Sequence, residues 1–325
     1  MANTAHVKLD EVICYFDELE DPRSTVNRQH PLNSVVVIAV MAVLAGAGGP
    51  TGIARWAAGK EEFLSKLLPL PNGVPRKDVF RRVLACLQPA AFQVCLQNWL
   101  HSLRVKAAAA TGIEQPVLAV DGKTLRRSHD RSKGLGALHS VSVWASEFGL
   151  SLGQVACGDK SNEITAIPEL LRLVDIKGAI ITIDAMGTQK AIAEQIIDSG
   201  ADYVLALKGN QETLQQTLMD YIDAQCANEF ADVPARQLVT RETGHGREET
   251  RHYIHMPVPQ ALQERFAAWK ELKSMGVVVS TCLRNGTETM EIRYYISSLP
   301  LGVKRFAHAI RSHWSIENKI GRAHV

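Results

Sequence analysis

The chain has no long apolar run, no paired cysteines and no strong charge of either sign, and the first two absences each close a class of function. Its most apolar stretch, Val35 to Gly49, stops short of the ~20 residues that a membrane span needs and begins too far in for a signal peptide, so it reads as a buried helix. The six cysteines (Cys14, Cys86, Cys95, Cys157, Cys226, Cys282) form no C-x-x-C pair and follow no secretory leader. They read as reduced thiols of a cytosolic protein rather than a zinc site or a disulfide framework. A formal net charge of +2 neither demands nor excludes a nucleic-acid partner, so any basic footprint must be local. Gly122-Lys123-Thr124 resembles the tail of a phosphate-binding loop, but the glycine that motif needs at position 117 is Val117, so ATP-dependent chemistry has no support.

What is present is a pair of apolar runs that each end in a carboxylate. Val117-Leu118-Ala119-Val120 reads as a strand buried on both faces and stops at Asp121, followed by Gly122. Ala179 to Ile183 repeats the design and stops at Asp184. Open α/β sheets hold their active groups at strand ends, and two strands presenting one aspartate each at the same edge could hold a divalent cation.

The surrounding pattern gives the expected architecture. Residues up to about 110 read as helical, with one-faced stripes over Leu9–Leu19, Ile53–Leu68, Asp78–Leu87 and Pro89 to about Ala108, and with Asp21-Pro22-Arg23 ending the first of these. Arg76, Lys77, Arg81 and Arg82 gather near one helix start, either tracking phosphates or forming a solvated face. From Gln115 the pattern turns to strands at 117–121, 138–145 and 150–155. A helix over 162–174, the Asp184 strand, a helix over 189–198, a strand over 203–207 and a helix from Gln211 follow. Three sequential strands followed by strand–helix alternation is the order of the ribonuclease H fold, an α/β class with a mixed sheet. Residues from about 230 to 298 read as a β-rich insertion of two hairpins, one turning near Gly244-His245-Gly246 and one at Asn285-Gly286.

A final helix begins at about Lys304, where Phe306, Ile310 and Trp314 step by four and Glu317 follows on the same face. A carboxylate extending an apolar stripe needs compensation. A metal shared with Asp121 and Asp184 would supply it; a bond to His313 one turn back, or solvent, is the alternative.

With these carboxylates in place the chain resembles the DDE transposases of bacterial insertion sequences, of the ISAs type that includes the H-repeat-associated, Rhs-linked proteins. Six motifs in order carry the resemblance: Val120-Asp121-Gly122-Lys123-Thr124-Leu125-Arg126-Arg127; Lys160-Ser161-Asn162-Glu163-Ile164; Thr182-Ile183-Asp184-Ala185-Met186 with Gln189-Lys190; Ala201 through Gln211; His245-Gly246-Arg247 with Glu249 and Arg251; and Ile310 through Lys319. The resemblance implies a helical N-terminal transposase-associated domain over 1–110 and a ribonuclease H-like catalytic domain over 111–319. It implies metal-binding catalytic carboxylates Asp121, Asp184 and Glu317, holding two Mg2+ ions for which Mn2+ can substitute. No covalent intermediate is needed, in keeping with the lack of a convincing serine, tyrosine or cysteine nucleophile. It nominates Lys123, Arg126, Arg127, Lys160, Lys208, Arg247, Arg251 and Arg311 for DNA phosphates, and His313 and Trp314 for positioning or stacking on a base. The implied partners are double-stranded DNA, as terminal inverted repeats and as target, and a second copy of the chain on that DNA. The implied location is the cytoplasm, on the nucleoid when DNA is bound, with no membrane.

One departure stands at the C-terminus. The family's pattern continues past His-Trp-x-Ile-Glu-Asn with leucine, tryptophan and further acidic residues, whereas Lys319 is followed here by Ile320-Gly321-Arg322-Ala323-His324-Val325. Those six residues can be encoded by ATCGGAAGAGCACACGTC, which looks like a common sequencing-adapter sequence, so 320–325 is expected to be a non-native tail. A catalytically dead, C-terminally truncated remnant that only binds DNA is the alternative to an active enzyme.

Overall fold

A computed structural model describes residues 9–26, 28–111, 115–124, 139–157, 163–244 and 246–320. The chain divides into two compact units, Met1–Gly112 and Ile113–Val325.

In the first unit the regular elements among the described residues are helices: α1 (Leu9–Cys14), α2 (Leu32–Leu44), α3 (Gly49–Ala58), α4 (Glu61–Ser65), α5 (Lys77–Cys86) and α6 (Pro89–Thr111). The apolar run read as a buried helix is α2, with Val35, Val37 and Ile38 wholly inaccessible because neighbours cover it on nearly every side. Ile53 and Ala57 of α3, Leu64, and Phe80 and Val83 of α5 close around it. Asp21 receives a two-pronged bond from Arg23 (Nε to Oδ1 2.8 Å, Nη2 to Oδ2 2.7 Å), while the same Nη2 reaches the His30 carbonyl at 2.8 Å. This clasp holds the segment that enters α2, and the guanidinium holds the Asp21 carboxyl below its usual range.

Two expected helices are shorter than their stripes. The helix expected over Leu9–Leu19 ends at Cys14, after which Phe16 and Leu19 donate their amides three residues back rather than four, a tighter winding that still buries both side chains. The helix expected over Ile53–Leu68 breaks at Gly59-Lys60, giving α3 and α4. Among the described residues no single helix is long and apolar enough to cross a membrane.

The second unit is a mixed α/β layer structure. Its strands are β1 (Val117–Thr124), β2 (His139–Ala145), β3 (Leu150–Cys157), β4 (Ile180–Ile183), β5 (Asp202–Leu207), β6 (Arg236–Gly244), β7 (Arg247–Pro257), β8 (Ser274–Arg284) and β9 (Thr287–Ser297). Its helices are α7 (Glu163–Leu173), α8 (Lys190–Asp198), α9 (Glu212–Ala227), α10 (Gln260–Phe266) and α11 (Val303–Ile320). One sheet runs β3-β2-β1-β4-β5-β9-β8-β7-β6, with β1, β4 and β5 mutually parallel and every other pairing antiparallel.

The residues expected as an insertion therefore continue the sheet. β9 pairs with β5 from Val204↔Ser297 to Leu207↔Tyr294. Asn285 and Gly286 both adopt positive φ (50° and 77°) in the two-residue turn that joins β8 and β9, the mirror-image turn which suits right-twisted strands. The half of β9 nearest that turn is exposed and that of β8 partly so, and the far halves of both strands are buried.

α11 lies along the sheet. Val117 and Ile180 pack with its Phe306, Ala307, Ala309 and Ile310, which defines the face of β1 and β4 that looks at α11. Phe306 also stacks on the fully buried His255 ring (centroids 4.4 Å apart, 5° between planes). His255 Nδ1 accepts from the Gly302 amide at 3.1 Å, and its Nε2 bonds Ser274 Oγ at 2.8 Å. Burial lowers its pKa from the ordinary 6.5 to about 4. Because the unfolded chain takes up this proton first, the contribution of His255 is complete above about pH 6.5 and is lost as pH falls toward 4. The loss reaches about 3 kcal/mol. Urea midpoints from pH 7 to pH 4 should fall more steeply for the wild type than for His255→Gln; parallel curves would contradict this.

Candidate active site

The two apolar runs end side by side. β1 and β4 pair in parallel from Val117↔Ile180 to Val120↔Ile183, so the next residues in register, Asp121 and Asp184, stand at the carboxyl ends of neighbouring strands, whose spacing is about 4.8 Å. Alternation along β1 puts Val117, Ala119 and Asp121 on the α11 face, and along β4 it does the same for Ile180, Thr182 and Asp184. A cavity of about 170 Å³ opens there, walled by Asp121, Thr182, Asp184, Lys208, His313 and Trp314 among others. Asp184 is exposed and begins a short turn in which its Oδ1 accepts from the Gly187 amide at 3.3 Å.

Three hydrogen bonds among the described residues tie α11 over this edge. Thr182 Oγ1 meets His313 Nδ1 at 3.0 Å, Ser146 Oγ donates to the Ser312 carbonyl at 3.0 Å, and Lys123 Nζ donates to the Ile316 carbonyl at 3.4 Å. Glu317 follows His313 by one helical turn, on described helix backbone; its side chain lies outside the described residues. Burial depresses the His313 pKa to about 4, outweighing the opposite pull of Asp184, so the ring is neutral at pH 7.

The donor set at the strand ends is carboxylate oxygen, with the neighbouring imidazole already engaged by Thr182, which suits a hard cation such as Mg2+. Among the described residues no cluster of three or more His, Cys, Asp or Glu could hold a metal. The third carboxylate of the expected set, Glu317, falls outside that description.

Residues 112–324 match the family described as "Transposase DDE domain", and residues 13–100 match the one described as "DDE_Tnp_1-associated". The chain belongs to the DDE transposase family. Among its relatives are the H repeat-associated protein YhhI of Escherichia coli (strain K12), 37% identical over 97% of this chain and 82% of that one, and YncI of Escherichia coli O157:H7, 38% identical over 97% and 79%. Both carry candidate-transposase names. The family match runs to residue 324, across the tail expected to be non-native; residues 321–325 lie outside the described ones.

The residues nominated from the DDE motifs fall into four groups. Asp121, Asp184, Lys208, His313 and Trp314 share the cavity. Lys123 is half-buried against α11, engaged with a carbonyl. Arg247, Arg251 and Arg311 form a second cluster, joined by Glu242 and Glu249. Arg311 grips Glu242 with two bonds (3.0 and 2.7 Å), Arg251 pairs with Glu242 at 3.2 Å and also with Glu249, and Arg247 reaches Glu249 at 3.4 Å. Arg311 holds the Glu242 carboxyl below its usual range. Arg126, Arg127 and Lys160 lie outside the described residues.

Four more side chains stand at or behind these strand ends and were not singled out for a role. Thr182 orients His313. Arg293 lays its guanidinium 3.9 Å from the Trp314 ring centroid, so one indole face is already covered by a cation. Glu163, at the start of α7, accepts from His139 Nε2 at 2.5 Å with both side chains buried, and a Cβ on Gly122 would come within 2.3 Å of its Oε1. The pair therefore packs directly behind the residue that follows Asp121. A usable signal existed for Glu163, inside the Lys160–Ile164 motif, and for Thr182, inside the Thr182–Met186 motif.

Proposed function

We propose that this chain is a transposase that moves an insertion sequence by metal-dependent hydrolysis of phosphodiester bonds at the element ends, followed by strand transfer into target DNA. The observation that carries the reading is the parallel register that brings Asp121 and Asp184 together beneath α11, the helix that bears Glu317. The order of the first five strands, β3-β2-β1-β4-β5 with β2 and β3 antiparallel, supports a ribonuclease H-like catalytic domain. The six helices among the described residues of the first unit support an all-helical N-terminal domain.

Asp121, Asp184 and Glu317 would hold two Mg2+ ions, with Mn2+ able to substitute. Such ions, when bound, activate water or a DNA 3′-hydroxyl and stabilise the leaving oxygen. The chain's own side chains do the rest. Lys208, exposed at the rim, takes a backbone phosphate. Thr182 and the neutral His313 keep the α11 turn before Glu317 seated on the strand ends. Arg311, Arg251 and Arg247 exchange Glu242 and Glu249 for phosphate oxygens as DNA enters, since a carboxylate and a phosphate oxygen present the same acceptor geometry to a guanidinium. The working form is a dimer on DNA with two ends brought together.

The test is cleavage and joining of a labelled duplex carrying the element's inverted repeat, in Mg2+, in Mn2+ and in EDTA. Nicking at the 3′ ends and joining in either metal, absent in EDTA, is the expected result. Cleavage without joining would sink the transposase reading in favour of a nuclease, and cleavage that survives EDTA would sink the metal mechanism.

A further inference from the structure

The first unit contains a feature that the catalytic site does not use. α2 and α3 meet at 97° across a four-residue connection, Ala45 to Gly48. Gly46 takes a positive φ of 89°, and the Ala47 amide reaches back to the Ala42 carbonyl at 2.8 Å, so the chain reverses tightly and starts α3 at once. Two helices near a right angle, joined by a short glycine-containing turn, make a helix-turn-helix. α3 packs its Ile53 and Ala57 inward and turns Thr51, Arg55 and Ala58 outward.

That outward face borders a basic groove. The groove, about 620 Å³, is lined on one side by α3 and on the other by the segment Asn72 to Lys77 that leads into α5. Arg55 stands on one wall, Arg76 and Lys77 on the other; all three are exposed, and among the described residues none of them is ion-paired. Arg81 and Arg82 continue the charge along the exposed side of α5, with Arg81 3.6 Å from Asp78. The carboxylate in the groove, Glu61, is turned to the loop itself, accepting the Val74 amide at 3.4 Å. Charge is sorted along this unit's sequence: residues 51–86 hold seven Lys and Arg against three carboxylates, whereas residues 10–21 hold six carboxylates and no Lys or Arg. In a chain of net charge +2, this is the local footprint that a polyanion requires.

We propose that the α2–α3 pair is a duplex-DNA reading unit. α3 enters the major groove with Arg55 toward base edges, and Arg76, Lys77, Arg81 and Arg82 hold the flanking phosphates. Gly48 and Gly49, at the start of α3, have nothing within 4 Å of where a Cβ would stand, so a sugar-phosphate backbone meets no side chain there. A ten-residue helix spans about 15 Å, enough to lie across a groove about 12 Å wide. This assignment rests on the reading of DNA as substrate and adds where the element end is recognised, in a unit separate from the carboxylates.

The test is equilibrium binding by the full chain in EDTA, across a salt series. The labelled duplexes are one carrying the inverted repeat that flanks the gene and one of the same composition, shuffled. Arg55→Ala should lose about tenfold in affinity for the repeat and little for the shuffled duplex, because one side chain's base contact is gone. The Arg76→Ala/Lys77→Ala double variant should weaken both duplexes and flatten the slope of log K against log salt by about two. Lys66→Ala, which removes an exposed cation of the same unit outside this groove, should bind as the wild type does, and equal thermal melting of all the proteins excludes misfolding. Wild-type affinity and slope in both groove variants would overturn this assignment while the transposase reading stood. If the wild type bound neither duplex, both would fall.

Discussion

Asp121→Asn and Asp184→Asn should each abolish metal-dependent cleavage, by about a thousandfold or more, while leaving the fold and DNA affinity close to wild type. The amide keeps the size of the carboxylate and one oxygen, so the Gly187 amide still finds its acceptor at position 184. What disappears is the negative charge beside its strand neighbour. Under the proposed mechanism several kcal/mol of the barrier would rest on a cation held there, and each ~1.4 kcal/mol is tenfold in rate. Neither aspartate lies in the core: Asp184 is exposed and Asp121 half-exposed, so melting temperatures should barely move or should rise, since removing one of two adjacent like charges relieves repulsion. Titration of Mn2+ against protein fluorescence or paramagnetic relaxation then gives a readout independent of turnover. Weakened Mn2+ binding in both variants is expected; unchanged binding with lost activity would mean that the cation sits elsewhere.

The parts of this site that were legible in the sequence are those where local chemistry changes abruptly. Two runs of β-branched and aliphatic residues stop at an aspartate, and the register turns that one-dimensional coincidence into a shared edge. Asn285-Gly286 announced its turn because few other dipeptides take two positive φ values. What stayed hidden depends on contacts between distant residues. Nothing near Val204 or Ser297 says that they pair, so β6 to β9 read as an insertion although they lengthen the same sheet. The helix break after Cys14 escapes a periodicity argument because Phe16 and Leu19 are buried whether the turn closes over three residues or four. Arg247, Arg251 and Arg311, read as phosphate contacts from their motifs, are in the folded chain partners of Glu242 and Glu249. Arg311 and Glu242 are 69 residues apart, a pairing that no local pattern encodes.

Gly122→Ala should be strongly damaging for the addition of a single heavy atom, because the added Cβ has to occupy the place of a buried carboxyl. It would stand 2.3 Å from Glu163 Oε1 and 2.5 Å from its Cδ. A free glutamate would swing away, but this one is buried and bonded to His139, so moving it breaks the pair and leaves polar atoms without partners. The cost should be about 2–3 kcal/mol, combining overpacking with the loss of a buried bond. Activity should fall further than stability, by about a hundredfold at temperatures where the variant is fully folded, since β1 yields next to Asp121 and a shift of about 1 Å at a reacting group is enough for that loss. Glu163→Ala separates the clash from the position itself. It vacates the space, so the double variant Gly122→Ala/Glu163→Ala should be more stable than the two single changes sum to, by about 1–2 kcal/mol. Additive effects in urea unfolding would mean that the glycine is not held at 122 by the carboxyl behind it. The contact ties the glycine after Asp121 to the glutamate of the 160–164 segment, and it gives a steric reason why the residue following the first aspartate has no side chain.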